Sequence, residues 1–128
     1  MSKYDKQIIK IRTPYYDRTS KTTKFKSRPG LVIGNYGLTD SDYIVLPVSK
    51  ISDKRKRNPK YDLEIDPKDF PLSNLKVYSF IRCHKQMSIP KANISGVIFD
   101  FKEVYFEKYM EALSLLEEFD SEKISSAL

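Results

Sequence analysis

The sequence predicts a mainly β fold: a small antiparallel barrel, or a tightly curled sheet, with one C-terminal helix packed against it. Short stretches rich in β-branched and aromatic residues are separated by turn residues, as expected for antiparallel strands. These stretches do not alternate with helical segments, as the strands of a parallel α/β fold would. Only the C-terminal stretch changes to a helical period. The chain has 128 residues, 40% of them hydrophobic and 31% charged, so one globular domain is the simplest organisation.

The first half of the chain predicts three strands. Residues 7–13 (QIIKIRT) are rich in β-branched side chains and end before a proline, which favours a strand near an edge. Residues 15–27 are polar, basic and rich in Thr and Ser, and they predict a long loop. Strand character resumes at residues 31–34, and glycines then offer turn chemistry. The third strand is predicted over Asp42–Ser49, with a bend or an edge at Pro47.

Shorter strands are predicted in the second half. They cover residues 61–65 (YDLEI), 76–82, 87–89 and 96–99. Polar and apolar residues alternate in YDLEI, which indicates a half-exposed strand. Before it, residues 50–60 (KISDKRKRNPK) predict a solvated loop.

The C-terminal residues from 102 to 119 predict an amphipathic helix. Its apolar stripe at spacings of three and four residues is more consistent with core packing than with a ligand site. The stripe consists of Tyr105, Tyr109, Ala112, Leu113 and Leu116. Asp100 followed by Glu103 resembles a capping box at the start of the helix. We expect an ordered core over about residues 7–119 of a single domain spanning residues 1–128. The remaining residues, 120–128, should fray, and the acidic side chains at 117, 118, 120 and 122 should be solvated.

Composition excludes several classes of protein. No apolar run approaches the roughly 18–20 residues that span a bilayer, and the N-terminal residues lack the pattern of a signal peptide. The one cysteine, Cys83, cannot form an internal disulfide and fits a reducing cytoplasm, where we expect the protein to be located. With one His and one Cys, the usual Cys/His zinc site cannot be built, and we expect neither a metal nor another cofactor.

Charge is distributed unevenly along the chain. Residues 1–60 carry 15 Lys and Arg against 5 Asp and Glu, whereas residues 61–128 carry 8 against 12; the net charges of +10 and −4 give the overall +6. A strongly basic half favours an anionic partner such as a nucleic acid. The alternative is that the basic residues are simply solvated.

Three segments resemble the MazF/PemK family of toxin endoribonucleases. Residues 28–33 (RPGLVI) are similar to the family's Arg-Pro strand, and residues 45–50 (VLPVSK) to a segment that more often ends in Thr-Ser. Residues 75–82 (LKVYSFIR), followed by 87–89 (MSI), are similar to a third segment. Order, spacing and strand placement agree with the family from about residue 7 to residue 116.

The resemblance implies an SH3-like or CcdB-like barrel with a C-terminal helix, usually assembled as a homodimer. It also implies metal-independent cleavage of single-stranded RNA, in cells mainly mRNA. The 2′-hydroxyl attacks the adjacent phosphorus and leaves a 2′,3′-cyclic phosphate and a 5′-hydroxyl. A cognate antitoxin protein would neutralise the activity.

The resemblance also assigns catalytic roles. Arg28 falls on the family's catalytic arginine, whose guanidinium matches phosphate oxygens, and Ser49 falls on its catalytic Thr or Ser. Arg82 falls on a second arginine that some members use as an acid or a charge stabiliser. His84 stands where several members carry an aspartate, so it indicates either a base or altered activity. Arg82 and His84 are expected on one face of a strand, with Cys83 on the opposite face in the core.

Basic residues near aromatic side chains predict contacts with RNA. The predicted RNA-binding residues are Lys24, Lys26, Lys54, Arg55, Lys56, Arg57, Tyr61, Lys85 and Gln86. Each of these basic side chains is equally compatible with plain solvation, and Arg28 with an ion pair to Asp42.

Two other functions fit the same sequence. One is a non-enzymatic inhibitor on the same barrel, as in the gyrase-poisoning CcdB branch. The other is an inactive barrel that binds RNA or protein, which the departures from the family at Ser49 and His84 would favour.

Overall fold

The computed structural model describes residues 4–39, 41–71 and 75–128 and confirms the predicted fold class. Within these residues, an antiparallel sheet of seven strands curls into a half-barrel, and two α-helices follow it at the C-terminal end. The strands are β1 (Gln7–Asp17), β2 (Thr22–Gly34), β3 (Asp42–Ser49), β4 (Asp62–Ile65), β5 (Ser79–Arg82), β6 (Met87–Pro90) and β7 (Ile94–Asp100). The helices are α1 (Phe101–Val104) and α2 (Phe106–Ala127).

The strand order is β4-β5-β3-β2-β1-β7, and β6 also pairs with β3. One edge of β3 pairs with β6 in its first half and with β5 at its end. β2 pairs with the opposite edge of β3. The end of β3, at Ser49, is therefore the junction between the long strands β1 to β3 and the short strands β4 and β5.

Residues 15–27 were predicted as a loop, and that prediction is wrong. β1 and β2 continue through this segment as a hairpin, paired from Ile8 opposite Leu31 to Asp17 opposite Thr22. A short turn closes the hairpin, and Lys21 adopts a positive φ of 57° there. β2 is exposed from Thr22 to Arg28, so the outer part of the hairpin projects beyond the core.

Side chains on one face of the sheet form the main core with the helices. Leu31, Leu46, Val48 and Ile81 alternate with residues of the other face and pack in the cluster that includes Tyr109 and Ala112 of α2. Cys83 is fully buried in this cluster, as predicted. The opposite face carries a smaller cluster, which contains Ile9, Ile11, Val32, Tyr43, Val45 and Ile89.

The helical region begins as expected and ends later. The Asp100 carboxylate accepts a hydrogen bond from the Glu103 N–H at 3.1 Å, which caps α1. A break at Tyr105 separates α1 from α2. We expected residues 120–128 to fray, but α2 runs to Ala127 because side chains near its end contact the loop before β4. Among the described residues, no helix is long and apolar enough to cross a membrane.

Candidate active site

The register of the central strands relates Arg28 to Ser49. β2 pairs with β3 through Leu31 opposite Leu46 and Gly30 opposite Pro47. Continued by two residues, the same register aligns Arg28 with Ser49, and residues aligned across antiparallel strands point to the same face. That face is opposite the one on which Leu31 and Leu46 pack in the main core. Arg28 is exposed and Ser49 is half-buried, so both can be approached from solvent.

Arg82 belongs to the same face of the sheet. Ser49 pairs with Phe80 of β5, and Arg82 lies two residues after Phe80, which brings the side chains to one side. The Arg82 guanidinium is largely engaged within the protein. Its Nε donates to Asp62 Oδ1 at 3.0 Å, and one Nη donates to the Lys56 carbonyl at 3.3 Å. The side chain as a whole retains 23% exposure.

Asp62 is a site residue that sequence reasoning missed. Its side chain is 1% exposed, and Oδ2 accepts the Asn58 N–H at 2.7 Å while Oδ1 accepts from Arg82. The alternation in YDLEI indicated a polar face of the strand. It could not indicate that Arg82, 20 residues further along the chain, would be its partner.

His84 lies in the turn after β5, because the strand ends at Arg82; the expected strand-face pairing of the two is therefore wrong. Both side chains instead approach Asp62, with 3.8 Å between His84 Nδ1 and Asp62 Oδ1. The imidazole is 10% exposed and packs near the rings of Tyr61 and Phe119, at centroid distances of 6.2 and 6.1 Å. This burial lowers the pKa of His84, with smaller contributions from neighbouring positive charges, while Asp62 opposes the shift.

Two side chains of the basic run at residues 54–57 make contacts within the protein, and the other two form no ion pair among the described residues. Asp53 caps the short turn Lys54–Lys56 by accepting the Arg55 N–H, and it also forms an ion pair with the Arg55 side chain. Arg57 donates to the Ile51 carbonyl at 2.9 Å and lies 4.7 Å over the Phe80 ring, beside Ser49 in the sheet. Lys54 and Lys56 are exposed, and their side chains form no ion pair within the described part of the chain.

The hairpin carries a row of basic residues toward Arg28. Lys24 is aligned with Tyr15 and Lys26 with Thr13, so the alternation of β2 places Lys24, Lys26 and Arg28 on one face. Lys24 forms a 2.8 Å ion pair with Asp17, and the Lys26 ammonium lies 4.6 Å over the Tyr15 ring. These cations therefore extend from the outer part of the hairpin to the junction at Ser49.

The remaining predicted RNA-binding residues differ in their exposure. Tyr61 is only 4% exposed, and its hydroxyl donates to Glu122, so its ring offers no open face to a base. Lys85 and Gln86 are exposed in the turn between β5 and β6.

Burial raises the pKa of the Cys83 thiol to about 12, so this side chain stays neutral in the core.

Comparison with known proteins identifies one family. A family model described as PemK-like, MazF-like toxin of type II toxin-antitoxin system matches residues 7–116. The match contains the β1–β2 hairpin, Ser49, Asp62, Arg82 and His84, and it ends before the last turns of α2. No curated protein shows a significant match to the chain.

Proposed function

Since the chain belongs to the family of PemK-like, MazF-like toxins of type II toxin-antitoxin systems, we propose that it is a metal-independent endoribonuclease that cleaves single-stranded RNA, in cells mainly mRNA. The 2′-hydroxyl attacks the adjacent phosphorus and expels the 5′-oxygen. The products are a 2′,3′-cyclic phosphate and a 5′-hydroxyl. This reaction needs a proton acceptor, a proton donor and fixed positive charge beside the phosphorane.

Arg28 and Ser49 bind the reacting phosphate in this proposal. The observation that carries it is the β2–β3 register: continued two residues beyond the pair Gly30–Pro47, it aligns Arg28 with Ser49 on the sheet face opposite the main core. The Arg28 guanidinium stabilises negative charge on the phosphate oxygens, which its planar fork of N–H donors matches. The Ser49 hydroxyl donates to a non-bridging oxygen or orients the 2′-hydroxyl.

Arg82 and His84 complete the proposed machinery. Arg82 adds positive charge beside the leaving oxygen, and Asp62 fixes its orientation through the 3.0 Å contact at Nε. His84 accepts the proton of the 2′-hydroxyl. The lowered pKa keeps its imidazole neutral near pH 7, which is the form that can accept a proton.

RNA approaches along the basic side chains in this proposal. The phosphate backbone contacts Lys24 and Lys26 on the hairpin and Lys54 and Lys56 in the loop before β4. The exposed Lys85 and Gln86, between β5 and β6, also contact the RNA. A cognate antitoxin inhibits the enzyme by placing an acidic segment against the same cations, where it competes with RNA.

The proposal is tested by incubating the purified protein with a long single-stranded RNA in EDTA. Wild type should give fragments with 2′,3′-cyclic phosphate ends. Arg28→Ala should lower kcat by about 10²–10³, the loss typical when one group that stabilises a developing charge is removed. His84→Ala should also slow cleavage and change its pH dependence.

Arg12→Ala is the matched control, because Arg12 is aligned with Ser27 on the opposite face of the hairpin and lies over the Phe25 ring. This variant should cleave like wild type. Absence of cleavage by wild-type protein would contradict the proposal. It would favour a non-enzymatic inhibitor or an inactive binding barrel of the same fold.

A further inference from the structure

The last turns of α2 lie outside the residues that match the family. The match ends at residue 116, whereas α2 continues to Ala127. One side of this extension contacts the polypeptide just before β4. This part of α2, residues 117–127, is called the extension below, and it lies next to the candidate site.

Two carboxylates of the extension bind the same lysine. Lys60 Nζ lies 2.7 Å from Glu118 Oε1 and 2.6 Å from Glu122 Oε1. The Tyr61 hydroxyl also donates to Glu122. Glu118 and Glu122 are one helical turn apart, so the same side of α2 presents both to Lys60. The two carboxylates raise the pKa of Lys60 above its ordinary value, and Lys60 in turn lowers the pKa of Glu122.

An aromatic contact accompanies these ion pairs. The Phe119 ring packs edge-on against Tyr61, at a centroid distance of 5.1 Å, and lies 6.1 Å from the His84 ring. His84 Nδ1 is buried and has no hydrogen-bond partner among the described residues. The extension thus packs beside the imidazole and holds the tyrosine that lies next to it.

Hydrogen bonds continue from the helix to Arg82. Lys60 and Tyr61 donate their N–H groups to Asn58 Oδ1, both at 2.9 Å, and the Asn58 N–H donates to Asp62. Asp62 then accepts from Arg82 Nε. These bonds connect the helix end to the carboxylate that orients Arg82, which β4 also holds opposite Arg82 in the sheet.

We propose that Glu118, Phe119 and Glu122 are positioning residues: by binding Lys60 and Tyr61 they help to hold Asp62 and Arg82 in place, and Phe119 packs against one side of the His84 ring. The claim that these three residues affect RNA cleavage rests on the proposed function. The physical coupling of the helix end to His84 does not, because it depends only on interactions within the chain.

His84 gives a direct measurement of this coupling, since it is the only histidine in the chain. Its NMR resonance can be titrated without ambiguity. The charged groups facing it are Asp62 on β4, Arg82 on β5 and Lys85 in its own turn, and the rings packed against it belong to Tyr61 and Phe119. Phe119→Ala admits water to the ring, so the pKa of His84 should rise toward its ordinary value of 6.5.

Cleavage kinetics test the positioning role. Phe119→Ala and the double variant Glu118→Gln/Glu122→Gln should lower kcat by about 10- to 100-fold, because small displacements of catalytic groups cost this much. KM for RNA should not rise, since every basic side chain is retained and the double variant removes two negative charges. The control is Asp120→Asn, which removes an exposed ion pair to Lys123 from the same turns of the helix. It should leave kcat, KM and the His84 titration unchanged.

Several outcomes would overturn the inference. These are wild-type kinetics in both test variants, a rise in KM with kcat unchanged, or faster cleavage, which would make the extension an inhibitor. If wild-type protein does not cleave RNA, the proposed function fails, and the His84 titration alone decides the inference. An unchanged His84 pKa in folded Phe119→Ala protein, with its native fold checked by circular dichroism, would then overturn it.

Discussion

At the scale of single residues, the Asp62 carboxylate connects three parts of the candidate site. It accepts hydrogen bonds from Arg82 on β5 and from the Asn58 N–H in the preceding loop. Its Oδ1 also lies 3.8 Å from His84 Nδ1. A buried carboxylate is tolerated only where such donors compensate for its lost hydration. Asp62 therefore contributes to stability as well as to the orientation of Arg82.

Replacing Asp62 by Asn should lower the free energy of unfolding by about 1–3 kcal/mol, because Arg82 and the Asn58 N–H lose a charged acceptor in a buried position. Urea denaturation measures this change. Asp53→Asn is the matched control, since Asp53 forms its ion pair with Arg55 at an exposed site. It should leave the free energy of unfolding nearly unchanged. Equal effects of the two substitutions would show that Asp62 is not a buried anchor.

His84 should make stability depend on pH. Its pKa in the folded chain lies below the ordinary 6.5, so the unfolded chain binds a proton first as the pH falls. The stability contributed by the neutral ring is fully present above about pH 6.5 and is lost as the pH falls through that value toward the folded pKa. His84→Gln should flatten this part of the profile in urea titrations. A wild-type profile parallel to that of the variant would contradict the expectation.

Local sequence supported the assignment of some residues and misled for others. Arg28 and Ser49 were assigned because each lies in a short segment that resembles the family, and their roles stay predictions. Asp62 was missed, and Tyr61 was predicted to contact RNA although its side chain is buried, because their partners Arg82 and Glu122 are 20 and 61 residues away in sequence. Interactions at that separation depend on strand order and helix placement, which a local pattern does not contain.

At the scale of elements, strands were predicted where they cross the core and missed where they leave it. β3 was predicted with its observed bounds because one of its faces contributes Leu46 and Val48 to the main core. The outer part of the β1–β2 hairpin is largely exposed, and no burial imposes an apolar alternation there. The end of α2 was predicted as a solvated acidic tail for a different reason. Its partner, Lys60, is distant in sequence, so the local pattern of acidic residues does not indicate the contact.

The loop before β4 yields a prediction about RNA binding. Reversing the charges of Lys54 and Lys56 should weaken RNA binding and reduce its dependence on salt, by about 0.7 in the logarithmic slope for each phosphate that the protein no longer neutralises. These two lysines are chosen because Arg55 and Arg57 are engaged with Asp53 and with Ile51. Fluorescence anisotropy with a labelled single strand, measured over a range of salt concentrations, gives both quantities.

Lys91→Glu provides the control for charge alone. Lys91 bonds through its N–H to the Ser41 carbonyl, next to the start of β3, whereas Ser49 ends that strand. The Lys91→Glu variant should leave the salt dependence of RNA binding unchanged. Equal losses of affinity in Lys91→Glu and in the loop variant would indicate nonspecific attraction to a basic protein.

At the scale of the whole molecule, one face of the sheet forms the main core and the other carries the candidate site residues. One face buries the main core under α2, and the other presents Ser49, Arg82 and, by register, Arg28. Most site substitutions on the second face can therefore be made without opening the main core. The smaller cluster around Val32 and Val45 supports that face beside the candidate site.

Assembly remains a prediction from the family resemblance. We expect a homodimer, which sedimentation equilibrium would record as twice the chain mass of 15.0 kDa. A single-chain mass at the concentrations used for cleavage would contradict this expectation.

A double-mutant cycle measures most directly whether Arg28 and Ser49 act on one phosphate. Cleavage rates of wild type, Arg28→Ala, Ser49→Ala and the double variant are compared in EDTA under single-turnover conditions. If both side chains stabilise the same transition state, the double variant should be little slower than Arg28→Ala alone, because residues that act as a unit are not additive. Fully multiplicative losses of rate, or no cleavage by wild type, would contradict a shared site at the end of β3.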